Sequence, residues 1–138
     1  MKNDTKTALN LLNTGNFTCV VCFGEICYRS TVRGVKPLLE WLDNGPSLKN
    51  FCAADRVVGR AAAFLYCLLG VSEVYAQVMS RPAADVLNAH GIHVEAGLFT
   101  DGIINRKGTG PCPFESAVLH IQDPSEALKT IRHKIATM

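Results

Sequence analysis

Ala53-Ala-Asp-Arg-Val-Val-Gly-Arg-Ala-Ala-Ala-Phe-Leu-Tyr-Cys-Leu-Leu-Gly70 is the stretch on which the reading of the fold turns. From Ala61 to Leu69 it carries no charge. A bilayer span takes about 20 apolar residues, so this run has the length of a buried core helix instead. Strong helix formers dominate it, and Gly70 stands where a C′ glycine ends a helix. The charges Asp55, Arg56 and Arg60 lie at its front. The expectation is a core helix starting near Asp55, with its polar end at the mouth of a site. Gly59 costs about 1 kcal/mol inside a helix, so its presence predicts that another backbone or a ligand comes close there.

The chain has 138 residues, the size of a single domain with a real core. Hydrophobic residues make up 48% and charged residues 19%, which excludes a disordered chain. A net charge of +2 without a basic run leaves no footprint for nucleic acid. The polar N-terminus, MKNDTKTALNLLNTG, reads as neither signal peptide nor membrane segment, so a cytoplasmic protein with no membrane partner is expected. Six cysteines stand at positions 19, 22, 27, 52, 67 and 112. An even count allows disulfides in a secreted protein, but no feature here points to secretion. Cys19-x-x-Cys22 lies in a β-branched stretch, where positions three apart face opposite ways. It is read as small core or strand residues, with no metal site and no cofactor expected.

Outward from the central stretch, Thr5–Asn13 reads as a helix. Phe17–Phe23 and Ile26–Ser30 read as a hairpin turned at Gly24-Glu25. Lys36–Leu42 is a short helix with Pro37 in its first turn, ended by Gly45-Pro46. Beyond Gly70, Val71–Met79 alternates as a strand, and Ser80 caps a helix over Arg81–Ala89. Ile92–Ala96 is a further strand, followed by a loop over Gly97–Pro111 with a strand fragment at Ile103-Ile104. A helix opens at Cys112-Pro-Phe-Glu115, and Asp123-Pro-Ser-Glu126 caps the last one, which runs to about Ile135. The alternation implies one three-layer α/β/α domain over residues 1–138, with a mixed sheet covered on both faces.

Two groups carry candidate chemistry. In Ile104–Glu115, INRKGTGPCPFE, Pro113 at N1 places Cys112 at the N-cap and Glu115 at N3. A thiol caps poorly, and a helix N-terminus lowers thiol pKa, so Cys112 is a candidate nucleophile beside the alternative of a small buried residue. Backbone N–H groups of Gly108–Cys112, including Gly110, with Arg106 or Lys107 would suit a phosphate or carboxylate. The order of Lys107 and Gly108 is not that of a P-loop. The second group is Asp55 with Arg56 and Arg60, the arginines four apart and sharing a helix face toward one anion. His90-x-x-His93 straddles Gly91 and lacks the geometry of a helical metal pair.

With these stretches in place, the chain resembles a small bacterial domain family of unknown function with a cytidine-deaminase-like fold. The resemblance is carried by Arg33-Gly-Val-Lys-Pro-Leu-Leu39, Ala54-Asp-Arg-Val-Val-Gly-Arg-Ala-Ala62, Asn105-Arg106 and Cys112-Pro-Phe-Glu115, and covers nearly the whole chain. It implies a cytidine-deaminase-like sandwich in which the helix near Asp55 matches the one bearing the first zinc ligand and the catalytic Glu. Zinc deaminases use His-x-Glu or Cys-x-Glu and a later Pro-Cys-x-x-Cys. No such pair starts the central helix, and Ser80-Arg-Pro-Ala83 has no cysteine where the second half is due. Pro111-Cys112-Pro113 comes one strand late and lacks a second cysteine.

The sequence therefore favours a binding protein for a small, anionic, nucleotide- or nucleoside-like ligand. Arg60, Asn105, Arg106, Lys107, Gly108 and Gly110 are its candidate contacts. The alternative is a zinc-independent enzyme with Cys112 as nucleophile and Asp55 or Glu115 as acid/base. A zinc-dependent deaminase ranks below both, and a homo-oligomer is a further expectation. Asp55 and Cys112 are expected to line one cleft.

Overall fold

A computed structural model describes residues 1–104, 108, 110 and 112–137. In chain order the elements are α1 (Asn3–Thr14), β1 (Cys19–Phe23), β2 (Ile26–Ser30), α2 (Lys36–Asn44), β3 (Cys52–Val58), α3 (Arg60–Leu69), β4 (Glu73–Ser80), α4 (Arg81–Ala89), β5 (His93–Thr100), α5 (Pro113–Ala117) and α6 (Pro124–Thr137). The strands form one five-stranded mixed sheet in the order β2-β1-β3-β4-β5. The β1–β2 and β1–β3 pairs are antiparallel, whereas β3, β4 and β5 run parallel. Helix α1 covers one face of the sheet, over β1, β3 and β4. On the other face α3 packs against α2, α4 and α6. The three-layer α/β arrangement with a mixed sheet is as the alternation implied.

The central stretch is a correction. Ala53–Val58 belongs to strand β3, and the helix begins only at Arg60, with Gly59 as its N-cap residue. Asp55 is thus a strand residue, and no helix starts there to match a deaminase motif. Helix propensity favoured Ala53-Ala54, but the segment fills the middle of the sheet between β1 and β4, and tertiary pairing overrides propensity. Small alanines suit that place, because helices press on both faces: Ala53 packs into the core under α3, and Ala54 into the smaller core under α1. The period of two also separates the arginines. Arg56 donates from Nε to the Phe17 carbonyl at 3.0 Å and from Nη2 to the Leu12 carbonyl at 2.7 Å, on the α1 side. Arg60 lies on the other side, so the two do not share a face.

From Arg60 to Leu69 the helix is as expected. Its residues through Tyr66 are all buried, and Gly70 closes it at φ 78° in the left-handed region that glycine favours. The hairpin turn at Gly24-Glu25 is also present, with Gly24 at φ 58°. Strand β5 extends to Thr100, beyond the expected Ala96, because Leu98, Phe99 and Thr100 stay paired with Val78, Met79 and Ser80. The cysteine pattern brings a second correction: Cys22 and Cys27 face each other across the hairpin and form a disulfide. Cys19 points to the opposite face, into the core under α3. Among the described residues no helix is long and apolar enough to cross a membrane.

Candidate functional site

The parallel strands end together. Val58 pairs with Met79, Met79 with Phe99, and Ser80 with Thr100. Helices α3 and α4 start from the ends of β3 and β4, so two helix N-termini face one carboxyl edge of the sheet. This edge is where open parallel sheets receive ligands. Ser80 caps α4 from its own chain, its Oγ accepting from the Ala83 N–H at 3.2 Å.

Helix α3 has no such local cap. Glu115, the third residue of α5, supplies it from a distance: Oε2 accepts from the Arg60 N–H at 2.7 Å and Oε1 from the Ala61 N–H at 3.0 Å. The positive end of the helix dipole favours a carboxylate there. Gly59 is what admits it, since a Cβ at position 59 would collide with the Glu115 carboxylate. The close approach predicted for Gly59 is therefore real, and a side chain makes it.

Arg60 is buried, and its guanidinium faces inward. Nε donates to the Val118 carbonyl at 3.1 Å, Nη2 donates to the Ile121 carbonyl, and the group lies 5.0 Å from the Phe64 ring centroid. Arg60 thus ties the turn between α5 and α6 to α3. It presents no free fork to an anion at the edge.

Asp55 lies under α3. The Tyr66 hydroxyl donates to its Oδ2 at 2.7 Å, and Cys19 Sγ is 3.1 Å from the same hydroxyl oxygen. Burial pushes the Asp55 carboxyl up to about 6, against the opposing hydrogen bonds from Tyr66, from the Arg56 and Val57 N–H groups and from Cys19. Burial, reinforced by the Asp55 charge, holds both the Cys19 thiol and the Tyr66 phenol well above their ordinary values. Neither Tyr66 nor Cys19 is marked by a local pattern: the β1–β3 register sets Cys19 opposite Asp55, and the packing of α3 over that pair brings in Tyr66.

Cys112 stands at the N-cap position of the helix that carries Glu115, and its thiol makes no capping hydrogen bond. It is half-buried, its N–H donates to the Ile103 carbonyl at 2.8 Å, and its own carbonyl accepts from Ser116. Among the described residues no hydrogen bond or shared partner links Cys112 with Asp55. Cys112, Glu115 and the start of α3 form one neighbourhood, and Asp55 with Tyr66 forms another. Gly108 is exposed, with φ 69°, and Gly110 is half-buried. Asn105, Arg106 and Lys107 lie outside the described residues.

At the carboxyl edge, Val57, Leu98 and Phe99 are exposed. Alternation alone does not foresee this. Ala53, Val74 and Ala76 face the α3 core, but so do Val58 and Met79, so the pattern slips by one residue before the strands end. A groove of about 400 Å³ lies elsewhere, between β2 and α2; Arg29, Lys36, Glu40 and Trp41 are among its lining residues, and none of the candidate residues is. His90 Nδ1 sits 2.9 Å from the Val86 carbonyl, and His93 Nε2 is 3.6 Å from Glu73 and 3.7 Å from Glu95. Among the described residues no cluster of three or more His, Cys, Asp or Glu side chains could hold a metal ion.

A family described as a domain of unknown function, DUF1893, matches residues 7–135. The crystal structure of a DUF1893 family protein from Thermotoga maritima superposes with a TM-score of 0.89 at 26% identity, over 97% of this chain and 91% of that one. The apo dCMP deaminase of the cyanophage S-TIM5 gives a TM-score of 0.47 at 17% identity, over 70% of this chain and 99% of that one. No curated protein matches the chain.

Proposed function

The chain belongs to the DUF1893 family, and on that premise we propose that it binds a small anionic, nucleotide- or nucleoside-like ligand at the carboxyl edge of β3, β4 and β5. What supports this reading is the set of open apolar side chains at that edge, Phe99 on the α3 face and Val57 and Leu98 on the other, next to the basic Arg106-Lys107 segment that follows β5. The first N–H groups of α3 are already taken by Glu115. Such a surface offers one part for a planar apolar group and another for negative charge. Asn105, Arg106, Lys107, Gly108 and Gly110 belong to the segment that follows β5 and are the proposed anion contacts. Arg60 serves here as a positioning residue, through Val118 and Ile121.

The enzymatic alternative, with Cys112 as nucleophile, finds less support. Glu115 already accepts two N–H bonds at the start of α3, and Asp55 is bonded to Tyr66 beneath that helix. Neither carboxylate is within a described hydrogen bond of the Cys112 thiol.

The test is a thermal-shift and calorimetric titration of nucleosides and nucleoside monophosphates against the protein and its Leu98→Asp variant. A saturable ligand stabilises the folded state by about 2.7 kcal/mol at 100 times its Kd. Saturable binding by the parent that Leu98→Asp weakens at least tenfold supports the site. A flat response across the panel, or binding untouched by Leu98→Asp, overturns it.

A further inference from the structure

Three cysteines from three adjacent strands lie in one row across the sheet. Cys22 of β1 is the register partner of Cys27 on β2 and of Cys52 on β3. Direct cross-strand partners project to the same face, here the face under α1, where Cys22 and Cys27 pack with Ala8, Leu12 and Ala54. The Cys22–Cys27 pair carries the disulfide, and Cys52 is a free thiol next in line.

The geometry of the pairs favours exchange. Each strand residue turns its N–H and C=O toward one neighbour only. The Cα atoms of Cys22 and Cys27 are 4.2 Å apart, a narrow pair without mutual hydrogen bonds. Cys22 and Cys52 are then the wide, hydrogen-bonded kind, about 5.5 Å apart, which lies inside the span a disulfide bridges. Cys52 Sγ lies 3.4 Å from Ser72 Oγ, on the β4 side, so exchange requires a turn about its Cα–Cβ bond that brings the sulfur toward Cys22 from the side opposite Cys27. Cys22 and Cys52 are buried, and Cys27, on the edge strand, is half-buried.

We propose that Cys27, Cys22 and Cys52 form a thiol–disulfide exchange site in which Cys22 is the shared sulfur. The Cys52 thiolate attacks Cys22 Sγ; the Cys22–Cys52 bond forms as the Cys22–Cys27 bond breaks. The bonding pair leaves on Cys27 Sγ, which takes up a proton equivalent to the one Cys52 gave up. No net oxidation or reduction occurs. The disulfide moves into the interior, and a thiol appears on the edge hairpin, open to low-molecular-weight thiols and disulfides.

The experiment alkylates the folded protein with iodoacetamide in the absence of reductant. Cleavage after Glu25, Lys49 and Arg56 then separates Cys22, Cys27 and Cys52 for peptide mass mapping. The parent is expected to yield alkylated Cys27 together with a Cys22–Cys52 crosslinked pair. Cys52→Ala is expected to slow Cys27 alkylation at least tenfold. In Cys27→Ser, oxidised glutathione should join Cys22 to Cys52. Equal Cys27 alkylation in the parent and Cys52→Ala overturns the proposal. So does a folded Cys27→Ser that keeps Cys22 and Cys52 as free thiols. Because position 27 is half-buried, that second variant keeps the test open even where a change at buried Cys52 prevents folding.

Discussion

The charge state of Asp55 bears directly on stability. Its carboxyl titrates at about 6 in the folded chain against an ordinary 3.8, because burial penalises the anion more than its hydrogen bonds reward it. The folded state therefore holds the proton more tightly than the unfolded chain. The stability that comes with the proton is complete below pH 4 and is lost as pH rises through 6, by at most about 3 kcal/mol. Asp55→Asn is expected to flatten the urea midpoint between pH 4 and 7 and to stabilise the protein at pH 8. A parent-like pH profile in the variant would refute this. Glu73 works in the opposite sense: burial raises its carboxyl, but the Lys2 N–H, His93 and the N-terminus outweigh this and hold it down, so its contribution is lost on acidification. At position 59 the constraint is space. Gly59→Ala is expected to displace the Glu115 carboxylate and cost about 1–3 kcal/mol, close to the cost of Glu115→Ala, with the double variant no worse than the single ones. Additive losses in denaturant melts would show that the two residues do not share one interaction. Nothing in the residues around Gly59 announced Glu115 as its neighbour, since 56 positions separate them.

At the scale of elements, α3 is held at its start by a carboxylate from α5 and along its side by its own Arg60, which reaches the turn before α6. Arg60→Ala removes two buried hydrogen bonds and the contact with Phe64, so a loss of about 3 kcal/mol or more is expected. Ser80→Ala removes one cap and should cost about 1 kcal/mol. Hydrogen exchange separates the two: Arg60→Ala should expose amides of both α3 and α6, and Ser80→Ala only the first turn of α4. A uniform loss in both variants would contradict the division. The capping serine, the prolines in first turns and the closing Gly70 were all legible in the sequence, because each acts within a few residues of itself. Strand β3 was not. Its alanines resemble those of the helix that follows, and only pairing on both sides makes it a strand.

In the whole molecule, the described residues form a mixed sheet with α1 on one face and α2, α3, α4 and α6 on the other. Asp43 of α2 and Arg132 of α6 form an exposed ion pair across that second layer. Exposed pairs contribute little, so Asp43→Asn should leave the melting midpoint unchanged within error at physiological salt, and a clear drop would show that the layer depends on it. Oligomeric state, expected from the sequence, is open to sedimentation equilibrium, in which a strict monomer at micromolar concentration would exclude a homo-oligomer. The three-layer α/β class, the hairpin and the boundaries of most helices were written in local patterns: period, caps, glycines and prolines. The family was legible through the resemblance carried by motifs such as Cys112-Pro-Phe-Glu115. That Asp55 belongs with Tyr66 and Cys19, that Glu115 caps α3, that Arg60 faces inward, and that three cysteines fall into one row came with the folded chain alone. Each of those facts joins residues far apart in the chain, and strand register and helix docking, which the local pattern does not encode, choose which of them meet.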